Sequence, residues 1–205
     1  MQVVLEQDPV PIVKIMGAQL RRALTHPDIL KTATSMRGSF ALRSTTDPQQ
    51  VTVALARDRM TLTRGIANDA GIIIHIDFRT NDSTKVDGRW RHPLFALKVA
   101  KLLKPPTPKW TDAAKRFWEL VHAQSGMPGT VKLVCTDDDR EYVMGDGHID
   151  VEIYGAASNL VRLLNGSMVF MEGAYRGEIK ILASLEHTAV LTEVSKKHMM
   201  GELGI

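Results

Sequence analysis

The chain has 205 residues, 44% hydrophobic and 24% charged, with a formal net charge of +3 and a pI near 9.0. These proportions match soluble globular chains and argue against disorder or a membrane bundle, and a chain this long can bury roughly 70% of its unfolded surface. No apolar run approaches the ~20 residues that span a bilayer, and aromatic content of only 5% weighs against base stacking, so no nucleic-acid partner is expected. The opening MQVVLEQDPV lacks a basic n-region and an apolar h-region, so no secretory signal is expected. Cys135 is the only cysteine, which excludes an internal disulfide and suits a reducing compartment. A cytoplasmic location, with peripheral contact at membranes, is the expectation.

From Pro9 to Leu24 the residues Ile12, Val13, Met16, Leu20 and Ala23 recur at helical spacing, with Pro9 and Pro11 suited to the first turn. A second helix is predicted from Pro27 to Met36, stopping at Gly38. Strands follow at Phe40 to Ser44, Val51 to Ala56 and Arg59 to Arg64, with a more buried fourth at Ile72 to Phe78. Asn81-Asp-Ser-Thr reads as a loop. Pro93 opens a helix through Leu103, ended by Pro105 and Pro106. Thr111 caps the next, whose Ala114, Phe117, Trp118 and Val121 lie at i, i+3, i+4 and i+7. Val131 to Thr136 and Glu141 to Met144 form a hairpin around Asp137-Asp138-Asp139, and His187 to Met200 is the last helix. A faint repeat links His75-Ile-Asp77 and Leu97 to Leu103 with His148-Ile-Asp150 and Leu160 to Leu164, though the offsets between the two sets are unequal.

Charge concentrates in the middle of the chain. Between Lys85 and Trp118 nine basic residues stand against Asp87 and Asp112. Lys98, Lys101 and Lys104 spread over about a third of a helix circumference, opposite Phe95, Val99 and Leu102, with Trp90 and Trp110 flanking the segment. Such a helix suits membrane or head-group contact on anionic lipid. It equally suits a solvated face whose lysines complement the helix dipole.

Catalytic and metal chemistry find little support. His75-x-Asp77 and His148-x-Asp150 each put two ligand types on one face of a strand, but no further ligands at zinc-like spacing follow, so no metal and no cofactor are expected. Cys135 alternates with apolar neighbours and reads as a small buried hydrophobe. No G-x-S-x-G context exists, and Gly145-Asp-Gly147 precedes a strand where a phosphate loop would precede a helix.

The most informative stretch is Gly147 to Ala183. Ile149, Val151 and Ile153 alternate with Asp150, Glu152 and Tyr154, as in a half-buried strand. Leu160, Val161, Leu163 and Leu164 then form an apolar helix face, which Ser158 or Asn159 can cap and Asn165-Gly166 can stop. Met168, Val169, Phe170 and Met171 form a looser apolar segment between Gly166 and Gly173, and Glu178-Ile-Lys-Ile181 is a strand.

This block resembles the sterol carrier protein type 2 family. Asp150 stands at the family's strand-leading Asp, Leu160 to Leu164 supply its helix pattern, Gly166 and Met168 match its Gly and Met, and Tyr175, Gly177 and Ile179-Lys-Ile181 match its aromatic, second Gly and last strand. Ala183 departs from the family's Gly. Met36-Arg-Gly-Ser-Phe-Ala-Leu42 looks like the family's first strand. The resemblance implies an α+β fold, with a mixed, mainly antiparallel sheet covered by helices on one face. It implies a single domain over 1–205: N-terminal helices and first strands in 1–80, a basic helical insert in 81–127, and a second strand set with crossover helices in 128–205. The last strand would complete the sheet begun by the first four.

The function so implied is a non-enzymatic lipid carrier, holding a fatty acid, acyl-CoA or sterol-like ligand between sheet and helices. The lining would be Leu160, Leu163, Leu164, Met168, Phe170 and Met171, closed by Leu191 and Val194. The alternative is a protein-interaction module whose apolar groove accepts a partner helix.

Overall fold

A computed structural model describes residues 1–77 and 82–203, with Asp82 described by its backbone alone. Phe78 and Asn81, assigned above to a strand end and a loop, lie outside the described residues. The fold is α+β, and the chain divides into two compact units, Met1–Pro106 and Thr107–Ile205.

The first unit contains β1 (Gln2–Leu5), α1 (Pro11–Ala23), α2 (Pro27–Thr34), β2 (Gly38–Ser44), β3 (Gln50–Leu55), β4 (Arg59–Arg64), β5 (Ile72–Asp77), β6 (Asp82–Asp87) and α3 (Pro93–Leu103). Its sheet runs β1-β4-β3-β2-β5-β6. β2, β3 and β4 form an antiparallel meander, whereas β5 pairs parallel with β2, Phe40 opposite Ile72. Alternation decides which face is covered: Phe40, Leu42, Val51, Val53, Met60, Leu62 and Ile74 are buried against Ile12, Val13, Met16 and Leu20 of α1, Ile29 of α2 and Val99 and Leu102 of α3. On the opposite face the β4–β5 connection acts as a strap. Thr52 Oγ1 donates to Gly65 O at 2.8 Å and accepts from Ala67 N at 2.9 Å, while Ser39 Oγ donates to Asp69 O at 3.0 Å.

The second unit contains α4 (Trp110–Val121), β7 (Thr130–Cys135), β8 (Glu141–Gly145), β9 (Val151–Gly155), α5 (Ala157–Leu164), α6 (Phe170–Tyr175), β10 (Ile179–Leu182) and α7 (Leu185–Met200). Its sheet runs β10-β9-β7-β8, with β7 and β9 parallel and the other pairs antiparallel.

Several expectations are corrected. The last strand does not extend the first sheet: it pairs with β9, Ile181 opposite Ile153, and pairing partners are not written in a strand's own alternation. The segment 81–127 is no single insert, because β6 and α3 belong to the first unit and α4 to the second. The stretch from Asp82, read as loop, is strand β6, an edge strand whose polar sequence hides it. α4 begins at Trp110, ahead of the predicted Thr111 cap, and its N-cap Lys109 makes no side-chain capping bond.

Two glycines are fixed by close backbone approach. At Gly88, φ is +78°, and a Cβ would stand 2.4 Å from Gly71 O; at Gly145, φ is +89° and the distance to Gly129 O is 2.0 Å. Gly71 immediately precedes β5 and Gly129 immediately precedes β7. Gly88→Ala and Gly145→Ala should each lower the urea unfolding midpoint more than Gly147→Ala. A Cβ on Gly147 meets nothing within 4 Å, leaving only the ~1–3 kcal/mol of left-handed strain.

Candidate functional site

The second unit buries one apolar layer between its sheet and its helices. Val131, Leu133, Cys135, Met144, Val151, Ile153 and Ile179 face it from the strands, and Phe117 and Val121 from α4. Seven of the eight predicted lining residues, Leu160, Leu163, Leu164, Met168, Phe170, Leu191 and Val194, are buried there in one cluster. The eighth, Met171, is 47% exposed.

Local contacts explain this arrangement. α5 starts at Ala157, two or three residues earlier than the predicted caps allow, and Asp137 Oδ2 accepts from Ala157 N at 2.7 Å. The β7–β8 turn therefore supplies the acceptor expected of Ser158 or Asn159. Asn159 is occupied elsewhere, donating through Nδ2 to Glu178 O at 2.9 Å, and Arg162 pairs with the Glu178 carboxylate at 2.7 Å. The helix stops at Asn165, with Gly166 at φ +67°, as its sequence predicts. The Met168 to Met171 segment is more ordered than a loop, for Val169 is the N-cap of α6. Ser195 Oγ accepts from Phe170 N at 3.0 Å, fastening α6 to α7.

The layer is closely packed. A Cβ on Gly173 would lie 2.9 Å from Met168 Sδ and Cε, so the thioether rests against the α6 backbone. His198 Nε2 lies 3.2 Å from Leu164 O, and its ring meets Phe117 edge-on at 5.7 Å between centroids. At the surface, Met171 and Tyr175 lie one helical turn apart on α6, with Tyr175 92% exposed; Leu182 ends β10 and Leu185 starts α7, both exposed.

The lysines divide. Lys98 Nζ donates to Ser35 Oγ at 3.0 Å, at the end of α2. Lys101 and Lys104 are exposed. The flanking tryptophans also differ, Trp90 standing 85% exposed and Trp110 buried in the second unit's core. An open groove of about 570 Å³ lies in the first unit, lined by Val10, Pro11, Ile12, Pro48, Arg64 and Gly65 among others. Arg64 is engaged there, 3.1 Å from Glu6 Oε1 and donating to Asp8 O. Sequence reasoning did not point to this groove, because its walls come from segments far apart in the chain.

The residues weighed for chemistry are dispersed. Among the described residues no cluster of three or more His, Cys, Asp or Glu side chains could hold a metal ion. His75 Nε2 pairs with Asp87 Oδ2 at 2.9 Å across β5 and β6, and Asp87, also bonded to Lys85, is held below the usual carboxylate range by Lys85 first and His75 second. Asp150 accepts from Thr130 N at 3.1 Å. Asp138 pairs with Arg140, which holds its carboxyl low. Burial pushes the Cys135 thiol up, so it stays protonated near neutrality and is a poor nucleophile.

No protein-family model matches this chain, and no curated protein does. Among solved structures, one that is similar at 11% identity is a conserved hypothetical protein from Thermus thermophilus, described as a possible sterol carrier protein, with 90% of this chain and 82% of that chain covered at a TM-score of 0.22. So low a score lends no weight to a fold or a function. No helix among the described residues is long and apolar enough to cross a membrane.

Two outcomes follow from the packing. Met168→Ala should cost ~2–5 kcal/mol in chemical denaturation, as for other buried truncations, whereas Met171→Ala should stay within about 0.5 kcal/mol of wild type. A thiol reagent at neutral pH should label Cys135 only after denaturant is added, and fast labelling of the folded chain would show the strand to be open.

Proposed function

We propose that this chain is a non-enzymatic lipid-binding protein, accepting a fatty acid, acyl-CoA or sterol-like ligand in the apolar layer of its second unit. The observation that carries this reading is the continuity of apolar side chains through α6: Met168 and Phe170 are buried while Met171 and Tyr175 stand at the surface on the same segment. α6 is six residues long and sits between Gly166 and Gly177, both with left-handed backbone. A six-residue element opens at lower free energy than the sheet beneath it, and lifting α6, with Phe170 drawn out and its bond to Ser195 broken, would open the layer beside Leu160 and Leu164 to an acyl chain. Each methylene buried would contribute ~0.8 kcal/mol, so a long chain needs no catalytic group to bind.

The expected ligand-facing set is therefore Leu160, Leu163, Leu164, Met168, Phe170 and Met171, with Leu191 and Val194 behind them on α7. The close packing of Met168 on Gly173 favours a second reading, in which the layer stays shut and the exposed Met171, Tyr175, Leu182 and Leu185 receive a partner helix. Titration of a fluorescent fatty acid into delipidated protein separates the two. Saturation near one ligand per chain, weakened by Met171→Ala and Tyr175→Ser, is the expected outcome. Absence of saturable binding would leave the partner-helix reading in its place.

A further inference from the structure

α3 is apolar on two sides. Val99 and Leu102 are fully buried in the first unit's core, while Leu94 and Leu97 are 75% and 70% exposed. Leu94, Leu97, Lys101 and Lys104 follow one another at intervals of three or four residues, so they share one helix face. Trp90, 85% exposed, stands four residues before Leu94 in the turn that leads into the helix, and the Arg89 guanidinium lies 4.8 Å from its ring centroid. A surface face of this helix should be polar if water were its only neighbour.

Along the first unit's own sequence the charge beside the stripe is of one sign: Gly88 to Pro106 contains Arg89, Arg91, Lys98, Lys101 and Lys104 and no Asp or Glu, and Asp87 just before it is paired with His75 and Lys85. A partner protein of ordinary mixed charge would not require such purity. An anionic lipid surface fits both parts, since it takes a Trp and leucines into the headgroup boundary and attracts a cationic rim.

We infer that the first unit docks on anionic membrane through the exposed Trp90–Leu94–Leu97 stripe of α3, with Arg89, Arg91, Lys101 and Lys104 on the headgroups. Lys98 is not part of this surface, because Ser35 holds it at the end of α2. The contact is separate from the layer proposed for an acyl ligand in the second unit and does not depend on it.

The test uses the whole chain and two kinds of vesicle, phosphatidylcholine alone and phosphatidylcholine mixed with phosphatidylserine. The wild type should sediment with the mixed vesicles only, less so at high salt. Leu94→Ser/Leu97→Ser and Lys101→Glu/Lys104→Glu should each weaken binding by about tenfold or more. Trp90 emission should shift to the blue on binding, and Trp90→Phe should remove that shift. All substituted positions are exposed, and circular dichroism checks that each variant is folded. Fatty-acid titration of the same variants should be unchanged, so failure of the carrier reading and failure of this one are told apart. Equal binding to both vesicles, no binding by folded wild type, or binding untouched by the leucine changes would overturn the proposal. So would a dimer in solution that Leu94→Ser/Leu97→Ser converts to monomer, since the stripe would then serve a second copy of the chain.

Discussion

A parallel pair inside each sheet, β2–β5 in one and β7–β9 in the other, is the constraint on which the rest of this structure depends. A hairpin partner can return through a tight turn, but a strand that comes back parallel to the first must be carried past its neighbours by a crossover. In the first unit β5 returns to β2, and in the second β9 returns to β7. Each returning strand then acquires an antiparallel outer neighbour, β6 in one and β10 in the other. The strand orders β3-β2-β5-β6 and β8-β7-β9-β10 are thus the same arrangement, and a helix follows the last strand in both. The first unit extends it with β4 and β1; the second inserts α5 and α6 between β9 and β10.

The long connections of the two units differ in chemistry: in the first it is the β4–β5 crossover, and in the second it is the β9–β10 connection, which joins antiparallel neighbours. Between β4 and β5 the chain has few apolar residues, and Thr52 and Ser39 tie it down by hydrogen bonds to Gly65, Ala67 and Asp69. Between β9 and β10 it is strongly apolar, and α5 and α6 fold onto the sheet and fill the layer with Leu160, Leu163, Leu164, Met168 and Phe170. A hydrogen-bonded strap adds no interior volume. An apolar helical connection does, and this is why the candidate site falls in the second unit.

Much of this was legible in the sequence, within limits set by physics. Arg59–Arg64 and Pro93–Leu103 stand where alternation and Pro punctuation put them, and Gly166 takes the predicted left-handed stop. Periodicity reports which face of an element is buried, so Leu160, Leu163 and Leu164 could be named in advance. It does not report the partner across the layer, which is how Ile179–Leu182 was assigned to the wrong sheet. Nor does it find edge strands such as Gln2–Leu5 and Asp82–Asp87. The faint repeat named the wrong counterparts: the shared strand order sets α3 against α7 and not α5, and with Ile72 opposite Phe40 and Val151 opposite Val131, Ile72 corresponds to Val151. His75 then corresponds to Tyr154, and His148 precedes its strand altogether. Met171 was missed for a related reason, since a helix of six residues is too short for its outward face to show in a pattern.

The repeated arrangement leaves a common weakness at a common place. In both units the start of the helix after the last strand is apolar and uncovered, at Leu94 and Leu97 in one and at Leu185 in the other. The surrounding charges differ. The first patch has five cations near it in sequence and no acid from Gly88 to Pro106, whereas Glu172, Glu178 and Glu186 accompany Met171, Tyr175 and Leu185. Arg176 is drawn to Glu172 and Arg162 to Glu178, so the cations there are largely spent within the fold. An anionic surface would find no net attraction at the second patch, while a sterol-like ligand or the tail of a fatty acid would meet no penalty from those carboxylates, an anionic head group having to stay clear of them. One topology used twice therefore presents two apolar surfaces that differ in the charge around them, and that charge, rather than apolar area, is what separates the proposed membrane contact from the proposed ligand site.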